Sequence, residues 1–398
     1  MVSESAATKG RHKNGFRSVV NLMAPNTGSL LLSDYAAEIA DTDVLAPSDI
    51  SPILQGLYGE VGGIMSTAKK HIREKSAYPG FKSAAEEEFG DTLWYLAALC
   101  RRLNIPFDEL FAEAASGEHF RVAGAASDMV EGTFAHVAMP ASTDPVDVTL
   151  FKLGRSAAAL LESALDRTKV VVFAQDYLGA LHAARLSFSD IARGNLRKAR
   201  GAFLEPRPED LVDFDSGFEI EEQLPRQFKI RVNQRDSGRS YLQWNDVFIG
   251  DPLTDNIADP DGYRFHDVFH FAYAAILHWS PVMRALIKQK RKSRPEYDEA
   301  QDSGRAIVVE EGLTAWIFTR AKELNFFEGQ ERISLGMLKT IGEFVAGYEV
   351  SKCPLKLWER AILDGYAVFR QLRDAQGGWI IGDRALRTIR YAPLESKK

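Results

Sequence analysis

The sequence predicts a mainly α-helical protein: a helical bundle in the first half, then a β-hairpin, then an α-rich C-terminal domain. Three observations carry that reading. From about Ser33 to Phe203 apolar residues recur three and four apart, Pro and Gly mark the loops, and strand signals are nearly absent. Beyond Glu205-Pro-Arg-Pro the pattern changes. Gln227 to Gly250 holds Phe-Lys-Ile-Arg-Val, the turn-like Asp236-Ser-Gly and Tyr-Leu-Gln-Trp, which together read as a β-hairpin. From Tyr263 helices return, expected at about 264–290, 303–324, 333–348 and 354–374. A chain of 398 residues is too long for one ordinary domain. The expected organisation is a flexible tail over 1–30, a helical domain over 31–204, a linker with the hairpin over 205–262, and an α-helical domain over 263–398.

Within the first half, Ser51 to Lys70 is expected as one helix, with Ser51 placed to cap it and Pro52 in its first turn. Ser83 to Leu103 is a second helix and Pro106 to Ala115 a shorter third. Pro79 and Gly80 mark the turn between the first two. A degenerate repeat over about 146–203 is suggested by setting Asp91 on Asp176, which aligns Phe89-Gly-Asp-Thr-Leu with Ala174-Gln-Asp-Tyr-Leu. The earlier helices match more weakly, with Gly59-Glu60 placed on Gly154-Arg155, so only the first copy keeps its acids. A helical pair with one apolar face cannot stand alone, and two copies packed together would bury both faces.

Hydrophobic residues at 45% and charged residues at 26% describe a globular chain and not a disordered one. The formal charge of −6 gives no general pull toward nucleic acid, so any polyanion contact must come from a local basic cluster. Two cysteines, Cys100 and Cys353, lie far apart without metal-ligand spacing, which excludes a disulfide framework and suggests a reducing compartment. No apolar run is long enough to suggest a membrane span, and the N-terminus lacks the apolar middle of a signal peptide, so a cytoplasmic protein is expected.

Glu88 and Asp91 lie three apart on a strongly helical stretch and so share one face of one turn. Glu60 on the preceding helix can oppose them. Three carboxylates from two antiparallel helices form an oxygen-rich site suited to Mg²⁺, with Mn²⁺ as the alternative. Phosphate-loop, nucleophile-elbow and Cys-x-x-Cys motifs are missing from the sequence.

Gly56-Leu-Tyr-Gly-Glu-Val-Gly-Gly-Ile, then Lys69-Lys-His-Ile-Arg, then Glu88-Phe-Gly-Asp-Thr-Leu-Trp-Tyr-Leu-Ala closely resembles the MazG-like all-α nucleoside triphosphate pyrophosphohydrolases. Asn195-Leu-Arg-Lys198 resembles the later Asn-x-x-Lys element of that family. The resemblance covers roughly residues 33–203, with an insertion or second copy before that last element. It implies a (d)NTP substrate cleaved to (d)NMP and pyrophosphate, with Glu60, Glu88 and Asp91 as metal-binding and catalytic residues. It also implies Lys69, Lys70, Asn195 and Lys198 as substrate contacts, and dimer packing, supplied either by a second chain or by the internal repeat. The family pattern is Glu-x-x-Glu, a spacer, then Glu-x-x-Asp, and Gly63 stands where the second acid of the first pair should be. Glu86 and Glu87, next to Glu88, project to other sides of the helix.

A second constellation lies in the C-terminal half. His266, Asp267 and His270 share one broad face of an expected helix, and Glu310 or Glu311 of the next long helix can add a carboxylate, a donor set suited to a transition metal. This region is similar to the C-terminal regions of some bacterial nucleoside triphosphate pyrophosphohydrolases. The basic run Lys288 to Arg294, with Lys290 and Arg291, is the best local candidate for a polyanion contact, and Arg384 is a weaker one. Three functions therefore stand side by side: a pyrophosphohydrolase at the N-terminal acids, a phosphohydrolase at the C-terminal cluster with a degenerate nucleotide-binding first domain, and a non-catalytic nucleotide sensor.

Overall fold

The computed structural model describes residues 30–78, 80–115, 144–162 and 164–395, so residues 1–29 of the expected tail lie outside the described residues. The chain is mainly α, with one small antiparallel sheet. The helices are α1 (Leu32–Ala40), α2 (Ser51–Glu74), α3 (Phe81–Arg102), α4 (Phe107–Ala115), α5 (Val146–Ala159), α6 (Arg167–Ala183) and α7 (Phe188–Phe203). Strands β1 (Gln227–Gln234), β2 (Ser240–Trp244) and β3 (Val247–Leu253) follow. Next come α8 (Asp267–Ala272), α9 (Pro281–Ile287), α10 (Pro295–Ala300), α11 (Gly304–Glu323), α12 (Leu335–Phe344) and α13 (Leu355–Ala375), and then β4 (Gly377–Asp383) and β5 (Thr388–Ala392). Among the described residues no helix is long and apolar enough to cross a membrane.

The chain divides into two compact units. One, residues 1–36 with 103–190, holds α4, α5 and α6. There α6 packs against α4 and α5, and Phe107, Phe111, Tyr177 and Phe188 form a run of ring contacts. Asp166 caps α6 by accepting from the Lys169 N–H at 3.0 Å. The other unit, residues 37–102 with 191–398, joins the α2–α3 hairpin and most of α7 to the whole C-terminal half.

The expected hairpin becomes part of a five-stranded sheet ordered β3-β2-β1-β4-β5, antiparallel throughout. Asn245 and Asp246, both with positive φ, make the tight β2–β3 turn, in keeping with the left-handed tolerance of Asn and Asp. The first part of the stretch expected as a loop, Asp251–Gly262, therefore belongs to β3. Strands β4 and β5 were not expected. The glycines of β4 hide its strand pattern, yet pairing requires them: a Cβ on Gly378 would sit 2.1 Å from the Tyr391 ring. Phe228, Ile230, Val232 and Ile380 join Phe269, Trp358, Tyr366 and Phe369 in one buried core.

The helix expected over 264–290 is interrupted. After α8 the chain passes through a π turn at Tyr273–Leu277, His278 takes a left-handed φ of 60°, and Ser280 starts α9 by accepting from the Met283 N–H at 2.9 Å. Pro281 is the cause: it disfavours helical backbone at the residue before it and suits the first turn of a new helix. Ser51 does not cap α2 either; its own N–H donates to Asp49 Oδ1 at 3.0 Å.

Candidate active site

Helices α2 and α3 form an antiparallel hairpin whose buried seam comes from Leu57, Val61 and Ile64 on one side and Phe89, Leu93 and Leu96 on the other. Glu60 lies one turn from Leu57 and from Ile64, so it emerges beside the seam, half-buried. Glu88 and Asp91 emerge opposite it. Burial pushes Glu60 up to about 7, and the Asp91 and Glu88 carboxylates add to the rise. Glu88 is also raised, by burial first and Asp91 next, although a hydrogen bond with Glu60 offsets part of the rise.

Gly63 explains how the site manages without its second α2 acid. A Cβ there would lie 2.1 Å from Glu88 Oε2, so the Glu88 carboxylate occupies the space a side chain at 63 would take. Gly63→Ala should therefore separate stability from activity. The substitution adds about 1 kcal/mol of helix propensity, and only the mobile end of Glu88 must move. Moving Glu88 by about 1 Å should cost up to ~10² in turnover. A thermal melt that holds or rises while turnover falls is the expected pair of results; unchanged turnover would contradict this role for Gly63.

Helix α7 brings the third part of the site. A Cβ on Gly90 would meet Asn195 Cβ at 3.0 Å, so this glycine lets α7 lie close to α3. Asn195 Nδ2 then donates to Asp91 Oδ1 at 3.2 Å, and Lys198 Nζ reaches Asp91 at 2.5 and 2.7 Å and Glu87 at 2.8 Å. Lys339 on α12 arrives from the C-terminal half and pairs with Glu87 at 2.8 Å, with Asp91 3.8 Å away. Burial acts against the Lys339 charge, but Glu87 and Asp91 hold it well above the ordinary lysine range. Sequence reasoning missed Lys339, for no motif surrounds it and only the tertiary fold delivers it. Lys69 and Lys70 are exposed and lie nine and ten residues beyond Glu60, about 14 Å along the helix, away from these acids.

In the other unit, α5 packs against α6. Burial raises Asp176, while Ser156, Lys152 and Arg155 act to lower it. Arg155 thus faces Asp176 as Glu60 faces Asp91, with the charge reversed.

The C-terminal constellation is also assembled. One atom from each of His266, Asp267 and His270 lies within 4.8 Å of the others, and among the described residues this is the group that meets so closely. His270 Nδ1 is 2.8 Å from Glu310 Oε1, which also accepts from Ser280 Oγ at 2.7 Å; Glu310 Oε2 accepts from the Val282 N–H at 2.8 Å. His266 Nδ1 lies 2.9 Å from Tyr263 O, and its ring stacks on Tyr263. Burial would lower His270, but Glu310 and Glu311 more than offset it and hold it at about 10. Burial would raise Glu311, but His266 and His270 hold it far below the usual carboxylate range.

Residues 209–395 match the family model of the MazG C-terminal domain. No curated protein and no solved structure matches the chain. The matched region contains the whole sheet, the His266, Asp267 and His270 group, and Lys339. Its basic run is a correction to the sequence expectation. Arg291 is fully buried and clamped by Asp302 and Glu349, so it is structural, and Lys290 donates to Ser303 Oγ at 3.1 Å. Arg384 is buried as well, donating to Leu224 O at 2.6 Å and Asp213 Oδ1 at 2.9 Å.

Proposed function

We propose that the chain is a metal-dependent nucleoside triphosphate pyrophosphohydrolase working at the α2–α3–α7 site, converting a (d)NTP to the monophosphate and pyrophosphate. The observation that carries this reading is the crowding of Glu60, Glu88 and Asp91 beside the α2–α3 seam, where burial and the two neighbouring carboxylates push Glu60 up to about 7. Such a cluster is costly without a cation, and its all-oxygen donor set fits Mg²⁺ or Mn²⁺. Glu60, Glu88 and Asp91 would hold the ion, which supplies positive charge against the triphosphate and acidifies the attacking water.

The chain's own groups do the rest. Lys198 and Lys339, now paired with Glu87 and Asp91, stand where phosphate oxygens would arrive and can exchange carboxylate for phosphate. Asn195 fixes the orientation of Asp91. Glu60, once ionised, is the acceptor for the proton of the water that attacks between the α and β phosphates, and pyrophosphate leaves toward the two lysines. The α5–α6 hairpin, with Arg155 in place of an acid, reads as a degenerate copy without this chemistry. A chromatographic assay of a (d)NTP panel in Mg²⁺ and in Mn²⁺ tests the proposal: monophosphate with pyrophosphate is expected, and intact triphosphate under both ions would overturn it.

The titration of Glu60 has a definite sign. Its folded-state value is raised from 4.5 to about 7, so its contribution to stability is full below the unfolded value and disappears as pH rises through 7. In chelator the melting temperature should fall between pH 5 and 8. Mg²⁺ should restore it most at the higher pH, and Glu60→Gln should flatten the profile.

A further inference from the structure

We propose that the MazG C-terminal domain binds one transition-metal dication through His266, Asp267 and His270, with Glu311 as the fourth ligand. This site is separate in residues and in chemistry from the α2–α3–α7 acids, and it stands whether or not those acids turn over nucleotide.

The geometry gives each residue a distinct part. Both imidazoles have their Nδ1 atoms engaged, His270 with Glu310 and His266 with the Tyr263 carbonyl, which leaves both Nε2 atoms for a ligand. Outer partners of this kind orient histidines at metal centres. His270 is fully buried, yet its Nε2 has no hydrogen-bond partner: Glu311 Oε2 lies 3.4 Å away without the alignment of a hydrogen bond. An orphaned polar atom in a dry core is unfavourable, and a bound ion would satisfy it. Glu311 Oε2 is 3.7 Å from His266 Nε2 as well, so one carboxylate oxygen faces both free imidazole nitrogens. Asp267 is itself buried, and its carboxylate lies within 4.8 Å of both imidazoles.

Sequence alone left Glu310 and Glu311 interchangeable, but the structure separates them. Glu310 is fully buried and its oxygens are occupied by His270, Ser280 and the Val282 N–H, so it is a positioning residue. Glu311, with 42% of its side chain exposed, is the ligand. Two nitrogen donors beside two carboxylates favour the manganese-to-zinc series over Mg²⁺, whose preference is for oxygen.

Cobalt(II) is the probe, because it reports its own coordination by visible absorption. The full chain, stripped with chelator and titrated with Co²⁺, should show ligand-field bands saturating at about one equivalent and displaced by Zn²⁺. Glu311→Gln, at a half-exposed position that poses no threat to folding, should weaken Co²⁺ binding at least tenfold, as should Asp267→Asn. Glu310→Gln should weaken it by about 10- to 100-fold through loss of histidine orientation. Asp91→Asn should leave the bands in place. Absence of bands in folded wild-type protein would overturn the proposal, as would undiminished binding in both Glu311→Gln and Asp267→Asn, or loss of the bands in Asp91→Asn.

Discussion

Asp91→Ala should lower kcat/KM for nucleoside triphosphate hydrolysis by about 10²- to 10³-fold. Asp91 is the hub of the proposed active site: it receives Asn195 and both of its oxygens receive Lys198. Its charge also contributes to the high value of Glu60. Losing it removes a metal-binding oxygen, frees Lys198 to swing away, and weakens the hold on transition-state charge. A loss of about 3–4 kcal/mol corresponds to the stated rate range. The fold should tolerate the change, since like-charge repulsion is relieved at a site only partly covered. Asp176→Ala on α6 is the matched control. Its neighbour is Arg155 where Asp91 has Glu60, and turnover should be unchanged. Wild-type turnover in Asp91→Ala would remove catalysis from the α2–α3 hairpin.

Asp302→Ala should destabilise the C-terminal half of the chain by about 3–5 kcal/mol, the usual consequence of stranding a buried charge. Arg291 and Asp302 are both essentially inaccessible. The Asp302 carboxylate accepts the Arg291 backbone N–H at 2.9 Å and its guanidinium at 2.6 and 3.0 Å, and Arg284 Nε lies 3.5 Å away. Without Asp302, Arg291 keeps its hydrogen bonds to Glu349 and the Phe214 carbonyl and its stacking on Phe218 and Tyr297. A domain has about 5–15 kcal/mol in total, so the loss is a large fraction of it. Denaturant unfolding followed through buried Trp279 and Trp358 would report it. Lys292→Ala, exposed on the same run, should change stability by no more than about 0.5 kcal/mol. Equal midpoints for the two variants would show that Arg291 does not depend on its acid.

A run of cations in the sequence suggests an anion site, but accessibility cannot be read from composition. Arg291 shows the consequence: the residue at the centre of the run is spent on Asp302 and Glu349 inside the core. The same limit hid β4, where three glycines break the alternation that marks a strand, and only pairing with β1 makes the segment extended. It also hid the break at His278, since an apolar run with helical spacing continues to Ile287 while Pro281 forces a new start.

What the sequence determined by itself was local: the helical period of α2, α3, α7, α11 and α13, the carboxylates of Glu88 and Asp91 on one face, and the His266, Asp267 and His270 face. These follow from spacing along one element, which the backbone period fixes whatever surrounds it. Only the tertiary structure decided what those faces meet. It filled the space above Gly63 with Glu88, brought Lys339 to Glu87, and separated Glu310 from Glu311 by giving one a full set of donors and leaving the other open. Contacts between residues distant in sequence depend on how the packed elements are placed in space, and no periodicity within one element encodes that placement.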